Sequence, residues 1–454
     1  MSTFTTEAEA VTYIFRSMRR LRGLPRGTDD QFRSTAPTVR LVTALNLLAE
    51  PREYAVVTGS KGKGSVTVIT ARLLQRLGHT VGTITSPHLV TWRERIRVNG
   101  RAIPEPDFLR LLSELSPHID AVEETLTERQ YFSPQGIFLA LALRWYTELG
   151  VTAAVLEVGR GGRYDDIAIV PNRLALFTPI TLEHVEQLGP SLARIAWHKA
   201  GIIKPHGQAY SVPQAPEVMA VLAAEAEAVD AQFDWIAPID MGRYLGPAEN
   251  GIRMALGRYG EVTLSLRGRY QVMNASLAVI AAGFMHARLG GIPHGAPEYV
   301  ERIRAGLADV AWPGRCQKLQ DAPAVYLDGA INRESAELLV ESLRDDNLAA
   351  PVVSVIGVPE DKDYAGVYAA LGPASDAVIL TETARNPSLR FPDPAAAAAE
   401  AARYCADVSC AATLDEAVER ALARAGTGGT VIIAGTQSIV ADAIARWGHT
   451  YEQI

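Results

Sequence analysis

Cysteine is scarce in this chain, with Cys316, Cys405 and Cys410 the only three in 454 residues. An odd number leaves at least one thiol unpaired in any intramolecular scheme, which argues against a disulfide framework and makes a reducing cytoplasm the expected compartment. Long apolar runs are missing as well. The most apolar stretches, Leu277–Met285 and Val431–Ala434, fall short of the roughly 18 residues a membrane helix needs. Residues 1–14 open polar and acidic, without the basic stretch and apolar run of a signal peptide. No large charge excess exists either. There are 44 Lys and Arg against 51 Asp and Glu, a net charge of −7, so a nucleic-acid backbone is not the expected partner. What is present is 48% hydrophobic and 21% charged residues, the balance of a globular protein with ample core. The length suggests two or three domains, and a monomer or small homo-oligomer without a membrane partner is expected.

Apolar periodicity predicts helices over Val11–Leu21 and Thr38–Leu48, separated by a polar loop containing Arg and Gly. Strand-like runs follow at Tyr54–Thr58, Thr80–Thr85, Ala153–Val158 and Leu174–Thr178, with a helix predicted over Val66–Leu77. Continuous apolar strands alternating with helices imply a parallel sheet covered on both faces. Between Pro205 and Leu266 the pattern changes to short alternating segments around the turn at Arg258–Gly260, which predicts a small antiparallel addition. A helix over Tyr270–Leu289 precedes a second alternation, with strands at Ala324–Leu327, Val352–Ile356, Ala377–Leu380 and Thr430–Ala434. The alanine-rich stretch Ala395–Ala402 reads as a helix, and Thr413-Leu-Asp-Glu416 reads as a capping box. The expected boundary lies near Trp312, giving domains 1–311 and 312–454. The fold class expected is α/β: a P-loop type, mostly parallel ATPase domain followed by a smaller Rossmann-like domain.

The segment Gly59, Ser60, Lys61, Gly62, Lys63, Gly64, Ser65 falls between a predicted strand and a predicted helix. Glycines there let successive backbone N–H groups converge on an anion, and the helix N-terminus adds its positive end. Lys63 can reach the β- and γ-phosphates and Ser65 a Mg²⁺ ion. The common G-x-x-x-x-G-K-[ST] order does not fit, because Gly64 separates Lys63 from Ser65. Glu157 closes an apolar strand just before three glycines. Ligands of open α/β sheets bind at such strand ends, and a buried carboxylate there calls for a cation, either a metal or Arg160 or Arg163.

This loop resembles the G-T-N-G-K-G-S loop of the folylpolyglutamate and dihydrofolate synthase branch of the Mur ligase superfamily. The resemblance continues, in order, through Thr85-Ser-Pro-His-Leu89, Arg95-Ile-Arg-Val-Asn-Gly100, Leu156–Arg163, Glu183-His184, Lys199–Lys204, Gln271 with Asn274, Pro313-Gly-Arg315, Asp328-Gly-Ala330 and Asp361–Asp363. It implies an enzyme that uses ATP to turn a carboxylate into an acyl phosphate, which an amino-acid-type amine attacks to form an amide. By the same resemblance Lys63, Glu157, His184 and Lys199 are catalytic. Ser65, Ser86, Glu157 and His184 hold Mg²⁺, and Lys199, carbamylated, helps hold a second. Asn274 faces the adenine, Arg315 the phosphates and Asp328 the ribose. Ser86, His88, Arg163, Asp165, Ile331, Thr436 and Ser438 fall on the side of the two organic substrates.

Departures from the family pattern cluster on that substrate side. The family's D-G-A-H-N-P is Asp328-Gly-Ala-Ile331-Asn-Arg333 here, its G-S-x-Y is Gly435-Thr436-Gln437-Ser438, and its D-A-T-N is Asp165-Asp166-Ile167-Ala168. Lys61 stands for an asparagine and His198 for a glutamate. A ligase with changed substrates is therefore expected. Ordinary folate chemistry, a non-catalytic nucleotide-binding scaffold and a P-loop kinase are the alternatives.

Overall fold

The computed structural model describes residues 3–21, 23, 27–127, 129–386 and 388–454. Part of the predicted loop after the first helix, residues 22 and 24–26, lies outside them, as do residues 1 and 2 of the opening segment. The large sheet contains β1 (Glu53–Thr58), β2 (Val81–Ile84), β3 (Ile96–Val98), β4 (Arg101–Ala102), β5 (Ala153–Glu157), β6 (Leu174–Phe177), β7 (Gln208–Ser211) and β8 (Gln232–Trp235). Its order is β4-β3-β2-β5-β1-β6-β7-β8, parallel from β2 to β8 with the β3–β4 hairpin antiparallel at one edge. Strand side chains alternate between the faces, and both faces are covered. Val56 and Phe177 join a core that includes helices Glu105–Glu123 and Pro134–Glu148, while Ala55 and Val57 face helices Lys63–Arg76 and Gln271–Leu289.

The segment Pro205–Leu266 divides in two. Its first half extends the parallel sheet through β7 and β8. Only the second half is antiparallel, as β9 (Arg243–Ala248), β10 (Gly251–Ala255) and β11 (Glu261–Leu264). The alternation of Gln232–Trp235, exposed on one face because β8 is an edge strand, hid its membership of the large sheet.

Helix Gln271–Leu289 has 19 residues and a mean hydropathy of 1.3 over its most apolar window, enough by length and composition to cross a membrane. It extends well beyond the apolar run read from the sequence. Most of it is buried inside the protein against helix Lys63–Arg76 and β1, so its apolar composition serves a core position.

The remaining sheet contains β12 (Gln317–Asp321), β13 (Ala324–Asp328), β14 (Val352–Gly357), β15 (Ala377–Leu380), β16 (Val408–Cys410) and β17 (Thr430–Gly435), in the order β12-β13-β17-β14-β15-β16. It is parallel except for β12. The edge strands β12 and β16 are polar or short, which removes their periodic signal. The cap at Thr413 accepts the Glu416 N–H at 3.2 Å, while Glu416 reaches the N–H of Ala412, one residue before the cap.

Candidate active site

The carboxyl ends of β1, β2 and β5 and the start of helix Lys63–Arg76 meet the β13 end of the second sheet around a cleft of about 460 Å³. Every residue from Ser60 to Ser65 lines it, together with Ser86, His88, Glu157, Asn274, Arg315, Asp328 and Ile331. Gly62 caps the helix at φ +85°, in the left-handed region that glycine enters without strain, and a Cβ there would lie 2.5 Å from Asn274 Oδ1. A Cβ on Gly64 would lie 2.7 Å from the Trp312 ring. The loop is therefore pressed between the helix that carries Asn274 and the segment leading into the second sheet.

Charge in the cleft is mixed, with buried carboxylates and half-buried cations. Lys63 Nζ donates to the Gly59 carbonyl at 2.9 Å and lies 3.5 Å from that of Ser60, folded over its own loop. Lys61, Lys63 and Arg315 line the same space. Glu157 is buried; its Oε2 accepts the Ser86 N–H at 2.9 Å, and it makes no ion pair among the described residues. Burial raises its pKa, against the opposing pull of Lys63, the Ser86 N–H, Arg315 and Arg95. Asp328 accepts the Cys316 N–H at 2.7 Å, and burial pushes its carboxyl up to about 6 despite Arg315. His88 Nδ1 accepts from Arg95 Nε at 3.2 Å, and burial with the nearby Arg95 and Arg385 holds the imidazole down at about 3, neutral at physiological pH.

Lys199 lies behind the loop rather than in the cleft lining. Its side chain is 1% exposed, and Nζ donates to the Gly59 carbonyl at 2.8 Å and to Glu183 at 2.9 Å. Burial lowers its pKa to about 8, partly offset by Glu183. Lys63 and Lys199 thus share one carbonyl of the phosphate loop. Glu183, which the sequence reading quoted without a role, is the acid that balances them. His184 is exposed at φ +48° on the N-cap of helix Val185–Leu188, outside the lining. Among the described residues no cluster of three or more His, Cys, Asp or Glu is positioned to hold a metal.

The substrate-side residues disperse. Ser86, His88 and Ile331 line the cleft. Arg163 does not: it pairs with Glu225 at 2.6 Å and lies over the Trp197 ring. Asp165 is buried, caps a short helix through the Ile167 N–H and pairs with Arg33 at 3.2 Å. Thr436 and Ser438 flank the lining residue Gln437, and Thr436 Oγ1 is buried without a partner. Arg97, Glu94 and Trp312 also line the cleft, although Arg97 entered only within the Arg95–Gly100 resemblance, Trp312 only as the expected domain boundary, and Glu94 not at all. For Arg97 the available signal was a charged residue in an otherwise apolar β3.

Residues 57–282 match the Mur ligase middle domain and residues 314–437 the Mur ligase glutamate ligase domain. The chain is 34% identical over 315 residues to the dihydrofolate synthase/folylpolyglutamate synthase of Bacillus subtilis, covering 68% of this chain and 71% of that relative. It is 32% identical over 388 residues to the enzyme of the same description from Mycobacterium tuberculosis, covering 80% and 78%. The crystal structure of Mycobacterium tuberculosis folylpolyglutamate synthase complexed with ADP superposes with a TM-score of 0.82 at 28% identity, covering 98% of this chain and all of that one. A second structure of that synthase, complexed with ADP and AMPPCP, gives 0.80 at 28% identity. The chain belongs to the Mur ligase family, as an ATP-dependent acid–amino-acid ligase homologous to the folylpolyglutamate and dihydrofolate synthases.

Proposed function

We propose that this ligase activates a carboxylic acid other than a pterin and joins it to an amino-acid-type amine that need not be glutamate. The observation that carries the reading is a contrast between the groups that line the cleft and those that turn away from it. Lys61, Lys63, Asn274, Arg315 and Asp328 line it, whereas Arg163 and Asp165 are occupied by internal ion pairs and Ile331 offers an apolar side chain. A pocket that pairs polar groups strongly rejects analogues lacking them, so a wall with different polar groups selects different substrates.

The chemistry follows from charge. A carboxylate oxygen attacks the γ-phosphorus and ADP leaves; the neutral amine then attacks the acyl carbon, phosphate leaves and one amine proton passes to the departing phosphate. Both steps bring anions or lone pairs to an anionic centre, so cations and N–H groups matter more than a general base. Lys63, Lys61 and Arg315 supply charge to the phosphates, and the Trp312 segment closes the cleft against the water that would hydrolyse an acyl phosphate. The donors fit Mg²⁺: Glu157 is a buried carboxylate with spare acceptor capacity, and Ser65 and Ser86 put hydroxyls on the same lining. Mg²⁺ is commonly held by one or two carboxylates with substrate phosphates and water rather than by an all-protein cage. Bound there, it would neutralise phosphate charge. His184 would need to turn inward from its exposed position to join the set. Lys199, with its pKa near 8, keeps a fraction of neutral amine able to add CO₂, forming an N–C bond with loss of one proton. The resulting carbamate would stand against Glu183 and require a cation between them.

We take residues 1–311 as the nucleotide domain and 312–454 as the closing domain, working in a reducing cytoplasm. ADP release tests the reading. Dihydropteroate or folate with glutamate should give little, and a panel of other acids and amines should contain a pair that gives much more. Ordinary rates with the folate substrates overturn the changed-substrate reading; release with no pair at all favours the scaffold.

A further inference from the structure

Residues 451–454 return from the second sheet to the first. The Ala102 N–H donates to the Glu452 carbonyl at 2.7 Å, the Ile454 N–H donates to the Gly100 carbonyl at 3.0 Å, and Arg101 forms an antiparallel bridge with Gln453. The segment thus extends the edge of the large sheet beyond β4. Gly100, at φ +79°, has no room for a Cβ because the Ile454 carbonyl occupies it. Ile454 is buried in the core that covers β1 and β5, and Tyr451 exchanges hydrogen bonds with Gln317 of β12. The converse insertion exists beside it. Leu89, from the loop after β2, packs on a core of the second sheet along with Leu319, Trp447 and Tyr451.

Two buried charges connect these insertions. Arg97 donates from one guanidinium nitrogen to the carbonyls of Gly100, at 3.0 Å, and Glu452, at 3.3 Å. Its other terminal nitrogen lies 3.9 Å from Glu94, and Nε has no partner. Glu94 in turn accepts the N–H groups of Leu89, Val90 and Thr91 at 2.9–3.0 Å, which ties down the loop carrying Ser86 and His88. A buried guanidinium is costly unless it is hydrogen-bonded and paired, and Arg97 directs its donors to these two carbonyls with Glu94 nearby.

We propose that Arg97 is a positioning residue: by holding the Glu452 carbonyl and steadying Glu94, it makes the 451–454 segment a strap that sets the Ser86–Thr91 loop on the substrate side of the cleft. The proposal rests on the reading of that loop as the substrate side, but its test needs no substrate, so the two can fail separately.

The test is amide hydrogen exchange on the full-length protein with ADP bound. Arg97→Leu should speed exchange at Leu89, Val90 and Thr91 by about tenfold or more, because their acceptor is no longer held. Exchange along helix Lys63–Arg76 should stay within about twofold of wild type. Deleting residues 451–454, which removes the Glu452 carbonyl but keeps the Arg97 side chain, should speed the same three amides. Arg97→Lys, which keeps the charge on a single donor nitrogen, should fall between wild type and Arg97→Leu. Wild-type exchange at the three amides in either the leucine variant or the deletion overturns the proposal. So does faster exchange spread equally through the phosphate-loop helix, and so does a lysine variant indistinguishable from leucine.

Discussion

The two sides of the cleft are built differently. On one side, the phosphate loop comes from a single continuous strand–loop–helix with helix Gln271–Leu289 packed directly on it, and Arg315 and Asp328 join it from the second sheet. On the other side, candidate groups come from separate loops, and two of them are taken up by partners far away in sequence, Asp165 by Arg33 and Arg163 by Glu225. A site made from one local motif keeps its geometry when distant residues change. A site assembled from loops can be re-aimed by altering any of its partners, and that makes it the natural place for specificity to drift.

That contrast can be broken most directly at Lys63. Lys63→Ala should lower ADP release by about a hundredfold to a thousandfold while leaving the thermal midpoint nearly unchanged, since the side chain bonds only its own loop. Equal losses of activity and stability would mean that the loop is held by its lysine.

Glu157→Gln should cost about a hundredfold in turnover yet leave stability equal or higher, because it replaces a buried charge that forms no ion pair with a neutral isostere. Paired melting curves and ADP assays separate the two effects; a large fall in midpoint would show that the carboxylate is structural.

Asp166 sharpens the view of the substrate side as a self-contained network. Burial raises its carboxyl from 3.8 to about 6, against Arg33, with a hydrogen bond from Thr38 at 2.5 Å. The folded state therefore holds this proton more tightly than the unfolded chain. Its contribution to stability is complete below about pH 4 and declines as pH rises through 6, by about 2–3 kcal/mol at most. Asp166→Asn should flatten that part of the stability–pH curve, with Asp328 leaving a residual slope of the same sign. Denaturant melts at pH 4 and pH 7 measure the difference; an unchanged slope would mean that Asp166 ionises freely.

The smallest effect is expected at Arg163. Arg163→Ala breaks a half-exposed ion pair and a ring contact and should cost about 1 kcal/mol, with ADP affinity unchanged. A strong loss of turnover without loss of stability would return Arg163 to the reacting centre.

Asn274, Arg315 and Asp328 were legible only through the family resemblance, whereas by itself the sequence determined the strand–loop–helix at Gly59–Ser65 with Lys63 on it, and the parallel core strands with Glu157 at the end of one. These follow from short-range rules: apolar runs become buried strands, and glycines before a helix leave N–H groups free for an anion. Tertiary structure alone decided that β7 and β8 continue the large sheet, that Lys199 is pinned to Gly59 and Glu183, that Arg163 and Asp165 turn away from the cleft, and that residues 451–454 bind the first sheet's edge. Edge pairing uses backbone groups that every residue possesses, and a charged side chain takes whichever opposite charge the fold brings near it. Neither leaves a periodic mark in the chain.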